Sequence, residues 1–154
     1  MATRGIQLLK TLGVEFDVLT YRYDKMGARI AAEAIGQPED VVLKSLVFRG
    51  EDKSFAFALI SGNANVSTRK LGRASGHKHM EAAAPRDAER MTGYQVGGIS
   101  PLGSRNTLPA FLDERTAQHD HLIINAGGRG TLVRLATTDL IRITRAEAAD
   151  IRAA

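Results

Sequence analysis

The side chain best placed to do chemistry is Lys44, a single cation in the apolar run VVLKSLVF, residues 41–48. On a strand, alternation puts Val42, Lys44 and Leu46 on one face and Val41, Leu43, Ser45 and Val47 on the other. An ammonium partly buried there needs an anionic or strongly dipolar partner, and a ligand carbonyl, carboxylate or phosphate would serve. The plainer alternative is an edge strand whose lysine snorkels to water or discourages pairing with another chain. Two glycine-rich stretches offer backbone instead of side chains: VGGISPLG, Val96 to Gly103, and NAGGRG, Asn125 to Gly130. Neither carries the Gly-Lys-Ser/Thr ending of a P-loop, and neither is a GxGxxG opening a helix. Tight turns with positive φ account for either loop alone. Two such loops beside strand ends also suit a pocket wall, where a ligand approaches the backbone and exposed N–H groups bind a carbonyl oxygen or phosphate.

A third feature is electrostatic. The segment from Lys53 to Met80 has no Asp or Glu but carries Lys53, Arg69, Lys70, Arg73 and Lys78, while the whole chain has a formal net charge of +4 and a pI of about 9.7. STRKLGRASGHKH, residues 67–79, has the pattern of a helix capped by Ser67, with Arg69 and Arg73 one turn apart on the same face. That face is either an ordinary solvated surface or a ridge for phosphates. His77 and His79, and likewise His119 and His121, would point to one side of a strand, which is open to a metal, but no chelating carboxylate is evident beside them. The sequence contains no cysteine, which excludes disulfides, an enzyme thiolate nucleophile and Cys-ligated metals. Ser100 lies in no GxSxG elbow. Aromatics are only 5 %, without Trp, and give no RNA-recognition signature of the aromatic-sheet kind.

The elements that must position these groups follow from apolar periodicity and turn residues. A chain of 154 residues, 44 % hydrophobic and 25 % charged, fits one domain spanning 1–154. Ile6, Leu8, Leu9 and Leu12 mark a short amphipathic helix, followed by a strand in VEFDVLTY. ARIAAEAIG is a helix stopped by Gly36, with Pro38 two residues later. VVLKSLVF and SFAFALIS are strands separated by the turn RGEDK. The basic helix comes next, then a helix opened by Pro85 in PRDAERM. PAFLD, HLIINAGGRG and TLVRLA are strand-like, and Thr137 or Thr138 caps a helix through DLIRIT. The tail EAADIRAA has helical propensity, with a final strand as the alternative. No apolar run approaches the roughly 20 residues of a membrane span, and MATRGIQLLK lacks a signal peptide's apolar region and cleavage site. A cytoplasmic enzyme or binding protein without a membrane partner is expected.

VVLKSLVF, TGYQVGGISPLG and INAGGRG, in this order and at these distances, resemble the YbaK/EbsC family of aminoacyl-tRNA deacylases, relatives of the editing domain inserted in bacterial prolyl-tRNA synthetases. The likeness also takes in LTY near Tyr21, Met26-Gly27, Lys44-Ser45, the basic helix, LPAFLD and the terminal helix region. It implies an α/β (α+β) single domain with a mixed, barrel-like β core, surrounding helices, and a pocket between the lysine strand and the glycine loops. It implies a free-standing hydrolase of the ester joining a wrong amino acid to the tRNA 3′ adenosine, most characteristically cysteine on proline tRNA. Proline and cysteine are similar in volume, so an apolar synthetase pocket separates them poorly and a second sieve is needed. The implied partners are the acceptor end of a mischarged tRNA and prolyl-tRNA synthetase, and neither cofactor nor metal is called for.

In that family the substrate's own thiol attacks its ester carbonyl, while the protein positions the aminoacyl group and stabilises the oxyanion. Carried onto this chain, the resemblance implies Lys44 at the ester or at the terminal phosphate and ribose, with Gly97, Gly98 and Ile99 lining the carbonyl side. Tyr21, Met26 and Ser45 shape the pocket, and Ser100, Ala126, Gly127 and Gly128 join its substrate-binding wall. Arg69, Lys70 and Arg73 hold acceptor-stem phosphates without reading sequence. Two departures concern the amino acid. Ala126 occupies a position commonly serine in cysteine-specific members, and Thr131-Leu132-Val133 offers no acid after a second glycine loop one residue shorter. Alanine or serine, removed by water, is therefore an alternative substrate, and a non-catalytic tRNA- or synthetase-binding module is an alternative of another class.

Overall fold

The computed structural model describes residues 2–154. Five eight-residue helices occur among them: α1 (Arg4–Thr11), α2 (Ala28–Ile35), α3 (Thr68–Ser75), α4 (Pro85–Thr92) and α5 (Thr137–Thr144). Among the described residues, no helix is long and apolar enough to cross a membrane. The strands are β1 (Phe16–Thr20), β2 (Leu43–Gly50), β3 (Phe55–Ser61), β4 (Met80–Ala82), β5 (Ala110–Asp113), β6 (His121–Gly128), β7 (Thr131–Ala136) and β8 (Glu147–Ala149). They form a mixed five-stranded sheet ordered β4-β2-β3-β5-β8 and an antiparallel three-stranded sheet ordered β1-β7-β6.

β2 and β3 pair from Leu43–Ser61 to Arg49–Phe55, and their two faces enter different cores. Leu43 and Val47 join Phe57, Leu59 and Leu112 in the main core, together with Ile6 and Leu9 of α1, Ala88 of α4, Leu140 of α5, and Leu122, Ile124, Val133 and Leu135 of the smaller sheet. Leu46 and Phe48 turn the other way, to Ala58, Leu71 of α3, Phe111 and Ile151. Burial on both faces explains the near-continuous apolar sequence of these strands. On the smaller sheet, Ile123 and Leu132 pack with Ala31 and Ala32 of α2.

Among the described residues, backbone pairing joins the two sheets at one isolated parallel bridge, Val42–Ile123. β4 covers the same edge of β2 only from Phe48 to Gly50, and Ala83 N–H reaches the Val47 carbonyl. Between these points the edge of β2 carries no neighbouring strand among the described residues. The β core is thus barrel-like but open beside Lys44 and Ser45, and this opening creates the site.

Local signals account for most helix ends. Ser67 Oγ accepts the Lys70 N–H at the start of α3, Pro85 opens α4, and Gly36 closes α2 in the left-handed region at φ 69°. Two expectations need correction. The basic helix does not run to residue 79: Gly76, at φ 76°, ends it after Ser75, and β4 begins at Met80. Of the two readings of the tail the strand holds: residues 147–149 form β8, parallel to β5, because pairing along an open sheet edge outweighs the weak helical propensity of alanines in so short a segment. The second correction is at α5, where neither Thr137 nor Thr138 caps: both lie inside the helix, Thr137 donates its hydroxyl to the His119 carbonyl, and Ala136 holds the cap position.

Beyond β8, Arg152 bridges back to Val66, and its guanidinium reaches the Asp113 carboxylate at 2.7 Å. Asp113 is fully buried and also accepts the Thr116 N–H and hydroxyl. A carboxylate in that position needs such partners.

Candidate active site

The opening beside β2 leads into a cleft of about 430 Å³. Its floor is β2 from Leu43 to Phe48, with Ala28 and Ala31 of α2 on one side and Pro85 and Ala88 of α4 on the other. Val96, Gly97, Ile99, Asn125 and Leu132 complete the lining, together with Tyr21 and Met26. The surface is mostly apolar, and none of its lining residues is acidic.

Lys44 is half-buried, and its partners are dipoles rather than a carboxylate. Nζ donates to the Ala64 carbonyl at 2.6 Å and to Asn65 Oδ1 at 3.3 Å. An ammonium has three donors, so one remains for a bound molecule. Ser45 is its neighbour on the opposite face. Its Oγ is sealed from solvent and has no hydrogen-bond partner among the described residues. Native structures pair nearly all buried hydroxyls, so an unpaired one beside a cleft is a candidate partner for a bound water or a ligand atom. Tyr21 is half-buried, and burial pushes its phenol pKa up, reinforced by the nearby Tyr23 and Asp24. Met26 is 61 % exposed and offers its thioether to whatever enters.

The glycine loops differ from expectation in an instructive way. Gly98 is buried away from the cleft, and its N–H donates to the Gln95 carbonyl. A Cβ there would lie 3.1 Å from the Arg129 nitrogen and 3.2 Å from the Gly128 carbonyl carbon, so the residue is small because the two loops touch. Gly98 is therefore not placed as an oxyanion donor. Ser100 is also fully buried, its hydroxyl accepting the Leu102 N–H, and does not line the cleft. Ala126, Gly127 and Gly128 lie behind the wall rather than in it: Ala126 is in the main core, Gly127 sits beneath Tyr94, and Gly128 faces Thr3 and Gly98. The reason is shared, since loops that pack on each other turn their glycines inward. Gly97 and Ile99 do line the cleft, and neither N–H has a backbone acceptor among the described residues. Gly97, at φ 93°, also has Tyr23 packed where a side chain would lie.

Asn125 was missed as a site residue, although it is the one polar side chain after the apolar LII of β6. Its Oδ1 accepts the Gly127 N–H at 2.8 Å and its Nδ2 donates to the Gly97 carbonyl at 3.1 Å, tying the loops together. Arg129 adds a second tie, donating Nε to the Val96 carbonyl at 2.9 Å while lying 5.3 Å from the Tyr23 ring centre. Leu132, which offers no acid, supplies apolar wall instead.

A family model for an aminoacyl-tRNA editing domain matches residues 24–143. The chain belongs to that family. The matched span of this editing domain holds every cleft residue except Tyr21. An Enterococcus faecalis protein named "Putative Cys-tRNA(Pro)/Cys-tRNA(Cys) deacylase EbsC" is 34 % identical over 128 residues, covering 83 % of this chain and 78 % of that one. The proline–tRNA ligase of Nitratidesulfovibrio vulgaris is 30 % identical over 100 residues, which are 65 % of this chain but 17 % of the ligase. A crystal structure described as "a putative trans-editing enzyme for prolyl tRNA synthetase" superposes with a TM-score of 0.88 at 28 % identity, covering 100 % of this chain and 99 % of the other.

On this editing domain the expected phosphate ridge is only partly available. Arg69 and Arg73 are exposed on α3 without an ion pair among the described residues. Lys70 is committed elsewhere, 3.1 Å from Asp150 and donating to the Arg152 carbonyl at 2.9 Å, so it clamps the tail instead of facing solvent. Its hydrogen bond is the main reason the Asp150 carboxyl lies below its usual range. The histidine pairs do not assemble either: His77 is held by Ser75, Ser54 and Asp52, while His119 faces Asp40 at 3.6 Å. Among the described residues, no three His, Cys, Asp or Glu groups converge as a metal site.

Proposed function

We propose that this editing domain hydrolyses the ester between a misattached amino acid and the 3′ ribose of tRNA. The observation that carries the reading is the cleft at the open edge of β2, whose apolar lining includes a partly engaged ammonium and, without partners among the described residues, a buried hydroxyl and the backbone N–H groups of Gly97 and Ile99. Such a set can hold an aminoacyl group and stabilise charge developing on its carbonyl oxygen. Lys44 orients the ester or the terminal phosphate and ribose, Ser45 Oγ bonds the aminoacyl group, and the N–H groups of Gly97 and Ile99 face the oxyanion.

The substrate we favour is cysteine on proline tRNA, with prolyl-tRNA synthetase as a partner in supplying it. Support comes from the likeness to the Enterococcus protein and from an apolar wall that suits a thiol-bearing side chain. In this route the substrate's thiol adds to its own carbonyl carbon, forming a C–S bond. The C–O bond to ribose breaks, the thiol proton passes to the ribose oxygen, and a cyclic thioester leaves. The departure at Ala126 does not count against cysteine, because that residue is buried behind the cleft wall. Leu132 favours a second reading: this apolar side chain beside Ala28 and Ala31 would also suit alanine, with water in place of the thiol.

The test is deacylation of cysteinyl-, alanyl- and seryl-tRNA(Pro) by the purified chain. Loss of cysteine alone, faster than the uncatalysed reaction, supports the thiol route. Preference for alanine moves the mechanism to water, and no acceleration with any of the three would overturn the enzymatic reading in favour of a binding module.

A further inference from the structure

A second concave surface lies across α4 from the cleft. It is lined by Arg49, Lys53, Ser54 and Phe55 from the β2–β3 hairpin and by Arg86, Asp87, Arg90 and Met91 from α4. Four cations thus meet one carboxylate, and Asp87 is already paired with Arg90 at 3.2 Å. Arg49, Lys53 and Arg86 make no ion pair among the described residues. Glu81 stands opposite Arg49 in the β2–β4 register without reaching it as an ion pair. Arg49 is half-buried and its side chain makes no hydrogen bond among the described residues, although its guanidinium offers five donors.

Charge on the hairpin is divided by side. Glu51 turns away from the groove and accepts the N–H groups of His79 and Lys78, each at 3.1 Å, and these bonds hold its carboxyl below the usual range. Asp52 accepts the Ser54 hydroxyl at 2.7 Å and faces His77. The acids therefore tie the hairpin to residues 77–79, while the cations face α4.

The groove also lies at the right distance from the cleft. Val47 lines the cleft, and Arg49 follows it on the same face of β2, about 7 Å further along at the usual strand rise. Pro85 and Ala88 of α4 wall the cleft, while Arg86 and Arg90, one turn apart, line the groove. One helix width, about 10 Å, separates the two spaces. A strand whose 3′ end sits in the cleft and whose backbone leaves past α4 would cross this rim.

We propose that the groove of Arg49, Lys53, Arg86 and Arg90 binds phosphodiesters of the tRNA acceptor end, and that it, more than the α3 ridge, anchors the RNA. This rests on the editing reading for the identity of the RNA but is tested without any deacylation. Affinity for uncharged tRNA would be measured against KCl concentration for the wild type, for Lys53→Gln/Arg86→Gln and for Arg69→Gln/Arg73→Gln, with thermal unfolding as a check on folding. Loss of two phosphate contacts makes the slope of log K against log salt shallower by about 1.4, which at 0.1 M salt is about 25-fold in affinity. The groove variant is expected to show that change and the α3 variant a smaller one. An unchanged slope in a folded groove variant would overturn the proposal, as would pyrophosphate binding at the groove as tightly as tRNA. Groove-dependent tRNA binding without ester cleavage would keep this inference and sink the proposed activity, whereas cleavage with an unchanged slope would do the reverse.

Discussion

Replacing Ser45 by alanine separates a functional hydroxyl from a structural one, because the two roles move stability in opposite directions. Ser45 Oγ is buried in the cleft wall without a partner among the described residues. A hydroxyl in that state costs about 1–3 kcal/mol relative to one that is satisfied or absent. Removing a single oxygen from a residue that borders the cleft leaves at most a small void. Ser45→Ala should therefore stabilise the free protein by about 1 kcal/mol, or about 3 °C in Tm for a chain of this length. If Oγ bonds the aminoacyl group, the variant also loses about 0.5–1.5 kcal/mol of interaction. That corresponds to a fall of about 2- to 12-fold in kcat/KM on mischarged tRNA. Thermal unfolding and single-turnover deacylation on the same preparations give both numbers. A lower Tm with unchanged kcat/KM would refute the reasoning, because the hydroxyl would then be supporting the fold and not the substrate.

Arg152→Ala leaves the buried Asp113 carboxylate without its cation, which costs about 3–5 kcal/mol; a fall of about 10 °C in Tm is expected on thermal unfolding, and a fall of 2 °C or less would contradict it. Burial raises the phenol pKa of Tyr21, and also of Tyr94, where the Arg4 guanidinium partly opposes it. Below pH 10 folded and unfolded chains both keep these protons. Above it the unfolded chain ionises first, so stability should fall as pH rises from 10 through the folded values. Absorbance at 295 nm and Tm measured between pH 9 and 11 check this, and Tyr21→Phe should flatten the slope. Titration of Tyr21 at or below pH 10 would contradict it.

The legible parts of the fold were those set by local chemistry. Ser67, Pro85 and Gly36 bound their helices as their side chains or flexible backbone dictate. The alternation through VVLKSLVF placed Lys44 and Ser45 on opposite faces, as the separate burial of Leu46 and Leu43 bears out. What the sequence did not reveal depends on contacts distant along the chain. Gly98 lies against Gly128, thirty residues away, and without that approach a glycine beside a pocket is indistinguishable from one packed on another loop. Lys70 belongs to the same register as Arg69 and Arg73, but the return of Asp150 and Arg152 to α3 takes it out of solution. Asn125 looked like the start of a turn until Gly97 and Gly127 supplied its two partners. The basic groove was divided between the hairpin and α4, so no single window of sequence contained it.

The central proposal is that Lys44 acts at the reacting end of the substrate and is not merely one more contact to the RNA. The direct measurement compares wild type with Lys44→Ala, both for single-turnover deacylation of mischarged tRNA and for affinity toward the same tRNA uncharged. A charged donor at the reacting centre is worth about 100-fold or more in rate. The account predicts a loss of that size in deacylation with affinity for uncharged tRNA little changed. Equal losses in both would contradict it and return Lys44 to the role of one more phosphate contact.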